Sequence, residues 1–376
     1  MNIGITCYPT YGGSGTVASE LGRKLAQRGH KVHFITTAMP YRLSEFYENI
    51  FFHEVQVFQY PLFDYAPYSL SLASKMAQVA ERENLDLLHV HYAVPHATSA
   101  YLAKKLLEKR TKLPVITTLH GTDITLVGTD PSYYDITRFS IEQSDAVTAV
   151  SDYLKNETLS RFAVDNDIIV IPNFVDPERF RPETPINRDC LADEGCKVVM
   201  HISNFRPVKR IGDIIEVFHG ISERTDAMLV LVGSGPEKEK ARALIEEKGL
   251  NDSVRFIGRQ DDVSQVIPCA DLYLLLSEHE SFGLTALEAM SCEVPVVGTS
   301  GSGMEGFLGD GVAGSLFPVG DVPAMVDGCM RILDDDDLAR SMGKAGRKRV
   351  MEDYHEDVIV EQYEELYRSV IEREKA

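Results

Sequence analysis

Two glutamates separated by seven residues are the side chains in this sequence best suited to ligand chemistry. Glu280 and Glu288 follow the apolar run 272–276, which is typical of a buried strand. The residues from about Leu284 onward are typical of a helix, so one glutamate precedes the helix and the other lies within it. Both carboxylates could then contact one ligand, and sugar hydroxyls suit them better than phosphates, which would repel them. Two solvated charges at the start of a surface helix are the alternative interpretation.

The start of this helix is a predicted phosphate site. Phe282 and Gly283 lead into it, and Leu284 is its expected first residue. The first turn of a helix offers unpaired backbone N–H groups and the positive end of the helix dipole. These groups predict that an anion binds beside the two carboxylates rather than on them.

A group of three cations is the second predicted anion site. Arg206, Lys209 and Arg210 lie within five residues of one another, after a predicted strand that begins at Lys197. In a chain with a formal charge of −19, such a local cluster indicates a bound polyanion. A solvated turn is the alternative, and the position of the loop after a strand argues against it.

Length and composition limit the class of protein. The 376 residues suffice for two domains, and the 44% hydrophobic content is ordinary for a globular protein. The charge of −19 argues against nucleic-acid binding and against stable association with an anionic membrane. The six cysteines form no C-x-x-C pair, which argues against zinc. No signal peptide or membrane-spanning run is recognisable, so the cytoplasm is the expected location.

The first 36 residues predict a βαβ unit with a Gly-Gly-Ser-Gly loop at 12–15. This loop partly matches the dinucleotide fingerprint, but the second strand ends in Thr36 and lacks the acidic residue that would confirm it. We therefore reject a nicotinamide or flavin site and retain a close approach of backbone to ligand. Further along the chain, Ser151 and the acidic run 334–337 are expected to cap helices.

Several histidines lie near the ends of predicted strands. His89, His91 and His96 occur within eight residues, which could indicate a metal, but they lack a neighbouring carboxylate ligand. We favour packing or ligand-lining roles for them. Tyr92 and His120 fall at carboxyl ends of strands, where open α/β sheets bind ligands, and the glycine after His120 indicates close approach of the backbone.

The segment from Glu280 to Glu288 resembles the E-x7-E signature of the retaining GT-B glycosyltransferases of family four. The resemblance implies an α/β fold of the GT-B type, with two Rossmann-like doubly wound domains facing a central cleft. Residues 1–165 with 356–376 would form the N-terminal acceptor domain, which includes a returning C-terminal helix. Residues 166–355 would form the nucleotide-sugar (donor) domain.

The resemblance also implies roles for individual residues. Glu280 would contact the transferred sugar and Glu288 the ribose of the nucleotide. The expected catalytic residues are Glu280, His120 and Lys209. The expected donor-binding residues are Gly12, Gly13, Ser14, Asn204, Arg206, Lys209, Arg259, Phe282, Gly283, Leu284 and Glu288. The expected acceptor-binding residues are Tyr92, His120 and Arg138.

The sequence departs from the family pattern in three places. Asn204 occupies the position of a family arginine, so Arg206 is assigned to the diphosphate from its charge alone. Phe174 replaces the glycine of the family's Ile-Pro-Asn-Gly-Val-Asp crossover. The segment 302–306 replaces the family's Gly-Gly-x-Pro-Glu, which leaves the backbone contacts of that loop open.

Longer segments, such as Leu-His-Gly-Thr-Asp at 119–123 and Ser-Asn-Phe-Arg-Pro-Val-Lys-Arg at 203–210, are similar to one branch of the family. That branch transfers N-acetylglucosamine from UDP-N-acetylglucosamine to the hydroxyl of L-malate, giving the α-glycoside in the first step of bacillithiol biosynthesis. The implied partners are these two substrates, with no metal or other cofactor. Because no carboxylate of the first domain stands out as a nucleophile, a front-face displacement is expected.

Three other functions stay open from the sequence. A related glycosyltransferase would use a lipid or polysaccharide acceptor, and a UDP-N-acetylglucosamine 2-epimerase-like isomerase would need no acceptor. A non-catalytic nucleotide-sugar binder would bind UDP without releasing it from the donor, and the intact glutamate pair argues against it. A homo-oligomer also stays open.

Overall fold

The computed structural model describes residues 1–10, 12–43, 45–309 and 311–375. The chain divides into two compact units. Unit 1 comprises Met1–Asn173 and Glu356–Ala376, and unit 2 comprises Phe174–His355. Among the described residues, no helix combines the length and the apolar character that a membrane span requires.

Unit 1 is built on a parallel sheet, in which the described residues form seven strands in the order β3-β2-β1-β4-β5-β6-β7. The five inner strands are almost wholly buried, which explains their apolar runs, whereas the two edge strands are partly exposed. Strand order changes direction between β1 and β4, the arrangement that leaves a crevice beyond the carboxyl ends of the strands. The strands are β1 Asn2–Thr6, β2 Lys31–Thr36, β3 Ile50–Glu54, β4 Leu87–His91, β5 Val115–Leu119, β6 Ala146–Ala149 and β7 Ile168–Val170.

Helices connect these strands and cover the sheet. Ser151 accepts a hydrogen bond from the N–H of Leu154 at 3.1 Å and thereby caps a helix, as predicted. The helices are α1 Gly13–Gln27, α2 Tyr68–Glu83, α3 Thr98–Leu107, α4 Thr122–Thr125, α5 Tyr134–Glu142 and α6 Asp152–Phe162, with one π-helical turn at Ala93–Ala97.

Unit 2 repeats this plan with a parallel sheet, in which the described residues form six strands in the order β10-β9-β8-β11-β12-β13. Its strand order changes direction between β8 and β11, so the loops after these two strands leave the same edge of the sheet. The strands are β8 Lys197–Ser203, β9 Ala227–Gly233, β10 Val254–Gly258, β11 Leu272–Leu275, β12 Val296–Thr299 and β13 Gly314–Phe317.

Two helices of unit 2 begin where the sequence indicates. Leu284 is the first residue of a helix, and Asp335 in the acidic run caps another by accepting from the N–H of Leu338 at 2.9 Å. The helices are α7 Ile211–Ser222, α8 Lys238–Glu247, α9 Leu284–Ser291, α10 Glu305–Leu308, α11 Val322–Leu333 and α12 Asp336–Asp353, with short 3-10 helices at Arg188–Cys190, Pro207–Lys209 and Ile267–Cys269. Two parallel α/β sheets with this topology confirm the predicted fold class.

The final helix, α13 Glu356–Lys375, packs in unit 1 against α1. The carboxylate of Glu356 lies 2.6 Å from the Nζ atom of Lys24. About two turns further on, Glu364 lies 3.1 Å from a guanidinium nitrogen of Arg28 and 2.7 Å from the Nε2 atom of His30. Because the Glu364 side chain is only 9% exposed, these contacts are shielded from water and help to hold the last helix in place.

Replacement of Glu364 by glutamine should lower the free energy of unfolding by about 2 kcal/mol at neutral pH, because Arg28 and His30 lose a charged partner. Burial alone would raise the pKa of Glu364, but the hydrogen bond with His30 and the charge of Arg28 hold that pKa below its usual value. A lowered carboxylate pKa stabilises the fold above the unfolded-state value, and this stabilisation is lost as the pH falls through the folded-state value.

Urea unfolding at a series of pH values measures this effect. The difference between the native protein and Glu364→Gln should shrink as the pH is lowered from about 5 towards 3. Glu365→Gln, a change at an exposed position of the same helix, is the matched control and should leave the unfolding curve within experimental error. A difference that is constant with pH would exclude the charged contacts as its cause.

Candidate active site

The loops after β8 and β11 bring Lys209 and Glu280 together in unit 2. The Nζ atom of Lys209 lies 2.6 Å from the Oε2 atom of Glu280, and the hydroxyl of Ser277 donates to the same oxygen at 3.1 Å. The two charged side chains are 21% and 15% exposed, so both are partly shielded from water. This pair places a cation and a carboxylate side by side at the strand ends where ligands are expected.

The three cations of the predicted cluster, Arg206, Lys209 and Arg210, do not face one common point in the structure. Lys209 faces Glu280, whereas the Nε atom of Arg210 bonds to Asp213 at 2.7 Å on the first turn of α7. The side chain of Arg206 is exposed at the start of the short 3-10 helix. Of the three cations, Lys209 is therefore the one that is held against Glu280.

Residue Glu288 is a buried carboxylate. It lies within α9 with a relative exposure of 4%. Burial and then the charge of Glu288 raise the pKa of the neighbouring Cys292 thiol well above its usual range. The alternative interpretation of a solvated glutamate on a helix surface is therefore wrong for this residue. The structure thus places the second carboxylate of the E-x7-E segment in the interior of unit 2.

The first turn of α9 is preceded by a glycine, which has no side chain that could cap the backbone N–H groups of the helix. Gly283 precedes the helix with a φ of 97°, a left-handed conformation that favours glycine, and no side chain caps the helix. Phe282 is buried with its ring centroid 5.3 Å from that of Phe307. Packing of Phe282 thus fixes the direction in which the N–H groups of Gly283 and Leu284 point.

The segment that departs from the family pattern packs directly on the Glu280 loop. The N–H of Gly303 donates to the backbone carbonyl of Glu280 at 2.7 Å. A Cβ atom at Gly303 would overlap the carbonyl oxygen of Ser281, so the two loops approach too closely for any side chain at this position. Glu305 is used locally, because its carboxylate accepts the N–H of Gly301 at 2.7 Å.

Two further predicted donor residues lie on other loops of unit 2. Asn204 is exposed directly after β8. Its backbone carbonyl packs so closely on Gly235 that a Cβ atom added at Gly235 would overlap the carbonyl oxygen. Arg259 is exposed directly after β10, the edge strand of the sheet, which β9 separates from β8. The structure places both residues at carboxyl ends of strands.

In unit 1, the loops after β4 and β5 bring Tyr92 and His120 together. Their ring centroids are 5.4 Å apart, and the Nε2 atom of His120 lies 2.8 Å from the Nδ1 atom of His91. Tyr92 has a φ of 87°, which is strained for a residue with a side chain. Burial raises the pKa of the Tyr92 hydroxyl to about 12, so it acts as a hydrogen-bonding group rather than as a base.

Sequence reasoning missed Asp123, which ties these two loops together. Its carboxylate accepts the N–H of Ala93 at 3.0 Å and the N–H of Gly121 at 2.9 Å. Burial raises the pKa of Asp123 to about 6, although its backbone hydrogen bonds act in the opposite direction. The only local signal is an aspartate three residues after His120 at the start of a short helix, which also fits an ordinary cap.

The glycine loop after β1 lies beside the same group. Gly12 and Gly13 are exposed, and a Cβ atom at either would meet nothing within 4 Å. Gly15 differs, because a Cβ atom there would lie 2.7 Å from the carbonyl oxygen of Thr10. The side chain of Ser14 acts to lower the pKa of the Tyr92 hydroxyl, against the effect of burial, which places this loop near the one after β4.

Arg138, which is predicted to bind the acceptor substrate, is exposed. Its observed hydrogen bond joins it to its own helix and not to Tyr92 or His120. It lies on α5, and its Nε atom bonds to Glu142 on the same helix at 2.8 Å. Its side chain is 45% exposed, so this bond is of the surface type and is exchanged at low cost. Its role stays a prediction.

The remaining histidines of this region are packed in the interior. Burial lowers the pKa of His89 to about 3 and that of His96 to about 4, so both are neutral near pH 7. His89 is hydrogen bonded on both sides, to the hydroxyl of Tyr367 at 2.7 Å and to that of Thr118 at 2.6 Å. Within the part of the chain that the structure describes, no three His, Cys, Asp or Glu side chains are grouped so as to hold a metal ion.

Comparison with known proteins places this fold and site in a family. The family described as Glycosyltransferase Family 4 matches residues 11–179, and the family described as Glycosyl transferases group 1 matches residues 184–349. The chain is 49% identical over 377 aligned positions to N-acetyl-alpha-D-glucosaminyl L-malate synthase of Bacillus anthracis, covering 100% of this chain and 98% of that protein. The chain therefore belongs to the family-four GT-B glycosyltransferases, and it is a hexosyltransferase by class.

Solved structures show the same fold at much lower identity. Sucrose-phosphate synthase from Thermosynechococcus elongatus matches with a TM-score of 0.83 and 21% identity, over 99% of this chain and 100% of that one. HepE of Anabaena, solved in complex with UDP and glucose, matches with a TM-score of 0.82 and 19% identity, over 98% of this chain and 100% of that one. At these identities the likeness establishes the GT-B fold.

Replacement of Gly303 by alanine should lower the Tm by about 5 °C or more, because the added methyl group would overlap backbone atoms of Ser281 and force the loops apart. Gly306→Ala is the matched control in the next helix. Its nearest atom would be the hydroxyl of Tyr354 at 4.0 Å, so the Tm should change little. Differential scanning calorimetry compares the two variants, and equal Tm values would show that the loops adjust freely.

Proposed function

We propose that this chain is a retaining glycosyltransferase that moves N-acetylglucosamine from UDP-N-acetylglucosamine to the hydroxyl group of L-malate. The observation that carries the proposal is the full-length identity of 49% to the Bacillus anthracis synthase. The name of that protein specifies an α-linked N-acetylglucosaminyl group and L-malate. Because the donor sugar is also α-linked to UDP, an α-linked product requires retention of configuration.

Unit 2 supplies the proposed donor site. A lysine ammonium group has three donor hydrogens, and contact with Glu280 uses one of them. Lys209 can therefore bind a phosphate oxygen while it still holds the glutamate. The carboxylate of Glu280 accepts hydrogen bonds from hydroxyl groups of the sugar. The bond between the leaving diphosphate and the transferred sugar is thus proposed to lie beside the Lys209–Glu280 contact.

Other groups of unit 2 complete the donor site in this proposal. The N–H groups of Gly283 and Leu284 bind the diphosphate at the start of α9. Glu288, which is buried in the same helix, accepts a ribose hydroxyl. Exposed Arg206 adds positive charge for the phosphates. The other proposed donor contacts are Asn204, Arg259 and Phe282 in unit 2 and Gly12, Gly13 and Ser14 in unit 1.

The proposed chemical step is a displacement at one face of the sugar ring. The bond between C1 and the phosphate oxygen breaks, and a bond from the malate hydroxyl oxygen to C1 forms on the same face. The hydroxyl proton passes to the departing phosphate oxygen. Lys209 and the α9 N–H groups stabilise the developing negative charge, and Glu280 stabilises the positive charge that develops on the ring.

A covalent double displacement is less compatible with the unit 1 site. It would require a carboxylate nucleophile beside C1. Asp123 is the buried carboxylate next to His120 and Tyr92, but its oxygens accept backbone N–H groups and hold two loops. Asp123 is therefore proposed to position the site. No metal is required by this mechanism.

The acceptor is proposed to bind groups of unit 1. His120 and Tyr92 offer polar ring groups beside the glycine loop, and both are partly exposed. The two carboxylates of malate need cations, and Arg138 is a candidate because its bond to Glu142 is on the surface. Arg206 of unit 2 is the other candidate from charge.

Release of UDP from UDP-N-acetylglucosamine should depend on L-malate and should persist in EDTA. Coupled detection of UDP measures the rate, with D-malate and succinate as controls that alter the configuration or remove the attacking hydroxyl. Release that is independent of malate would point to another acceptor. Conversion of the donor to its 2-epimer without UDP release would identify an isomerase and would contradict the proposal.

Replacement of Glu280 by glutamine should lower kcat by about two to three orders of magnitude while UDP affinity stays close to that of the native protein. The amide keeps the shape of the carboxylate but cannot stabilise positive charge on the sugar ring. Glu278→Gln is the matched control, because Glu278 lies in the same loop with a side chain that is 52% exposed. Transfer assays and calorimetric UDP titrations separate the two effects, and an unchanged kcat would remove Glu280 from the mechanism.

A further inference from the structure

A buried histidine stands directly behind the proposed active-site histidine. His91 is the last residue of β4, and His120 follows β5. In the parallel register His91 lies opposite Thr118, so His120, two residues further, extends over the same face. The two ring planes differ by 24° with centroids 5.0 Å apart, and the Nδ1 atom of His91 lies 2.8 Å from the Nε2 atom of His120, so the rings meet edge to edge with these two nitrogens facing each other.

Both rings are neutral near pH 7. Burial lowers the pKa of His120 to about 3 and the pKa of His91 well below its usual value. A neutral imidazole carries one N–H group and one bare nitrogen. The 2.8 Å contact therefore contains one hydrogen, and one of the two rings must donate it to the other.

The second nitrogen of His91 decides which ring donates. The Nε2 atom of His91 is buried and has no hydrogen-bond partner within the described ranges of the chain. If His120 were the donor, the N–H group of His91 would be at Nε2, buried and unpaired. Unpaired buried N–H groups are among the rarest features of native proteins, because a donor removed from water loses its hydrogen bond. Donation by His91 leaves only a bare lone pair at that position.

The surroundings of His91 hold its ring in this orientation. The Nδ1 atom of His96 donates to the backbone carbonyl of His91. The ring centroid of His89 lies 4.5 Å from that of His91, and His89 is fixed by Tyr367 and Thr118. The position and direction of the Nδ1 donor of His91 are therefore set by the interior of unit 1.

We propose that His91 is a positioning residue that donates from Nδ1 to the Nε2 atom of His120 and so holds His120 in the Nδ1–H form. His120 then presents its own Nδ1–H group as a hydrogen-bond donor to the substrate, and it cannot act as a base at that nitrogen. The consequence for catalysis rests on the function proposed above. The assignment of the hydrogen itself does not, and can be tested without substrate.

Nitrogen-15 NMR of the histidine-labelled protein reads the two ring forms directly. The chain has 11 histidines, and the signals of His120 are assigned by their loss in His120→Asn. We expect both rings to carry the hydrogen on Nδ1, so that His120 has a bare, accepting Nε2 and His91 a bare, unpaired Nε2. Detection of the hydrogen on Nε2 of His120 would overturn the proposal.

Activity of His91 variants tests the consequence. His91→Phe keeps a ring of similar shape but removes the donor, and we expect kcat to fall about 10- to 100-fold with the KM for the donor sugar within about 3-fold. His91→Asn, whose amide can donate near the Nδ1 position, should recover part of this loss. In the Phe variant, the His120 signals should no longer report the Nδ1–H form alone.

A matched control separates positioning from packing. His33→Phe replaces a buried histidine ring of β2, whose Nδ1 atom lies 3.0 Å from the Nε2 atom of His53 and which has no part in the arrangement of His91 and His120. It should lower the Tm but keep kcat within about 3-fold of the native value. Equal kcat losses in the Phe and Asn variants of His91, in proportion to Tm, would overturn the positioning role.

The two levels of inference fail in different ways. Absence of malate-dependent UDP release in the native protein would overturn the proposed function and the catalytic consequence, whatever form His120 takes. Malate-dependent release with unchanged kcat in His91→Phe would leave the function standing and overturn the positioning role alone.

Discussion

Parallel strands that end at one edge of a sheet are the constraint on which the candidate site depends. In each unit the strand order changes direction beside the first strand, so the loops after two adjacent strands separate and leave room for a ligand. Lys209 and Glu280 follow β8 and β11, and Ser14 and Tyr92 follow β1 and β4. Lys209 and Glu280, which are far apart in the chain, are thereby brought within hydrogen-bonding distance.

In unit 2, the positive charge available to a ligand comes from individual groups at the site and not from the net charge of the chain. A chain with a formal charge of −19 repels polyanions at long range, so any phosphate must be held by groups at short distance. Lys209 is kept in place by Glu280, while Arg210 is directed away by Asp213. The first turn of α9 adds backbone N–H groups that carry no formal charge and are unaffected by the acidity of the surface.

Unit 1 uses buried polar groups to hold its loops. Asp123 joins the backbone after β4 to the backbone after β5, and the interior histidines stay neutral because burial disfavours their charged form. A buried network of this kind is stable only when its hydrogen bonds are satisfied, which restricts each ring to one orientation. Among the residues that the structure describes, the Nε2 atom of His91 has no partner, and this identifies the direction of the other hydrogen bond of its ring.

The sequence alone determined those features that depend on neighbouring residues. Apolar runs predicted the parallel strands, Gly283 and Leu284 marked the start of α9, Ser151 marked a cap, and the spacing of Glu280 and Glu288 indicated the family. Only the tertiary structure decided which distant side chains meet. Lys209 and Glu280 are 71 positions apart, and His91 and His120 are 29 apart. Such pairs depend on strand register and on burial, which act through space and leave no periodic pattern in the chain.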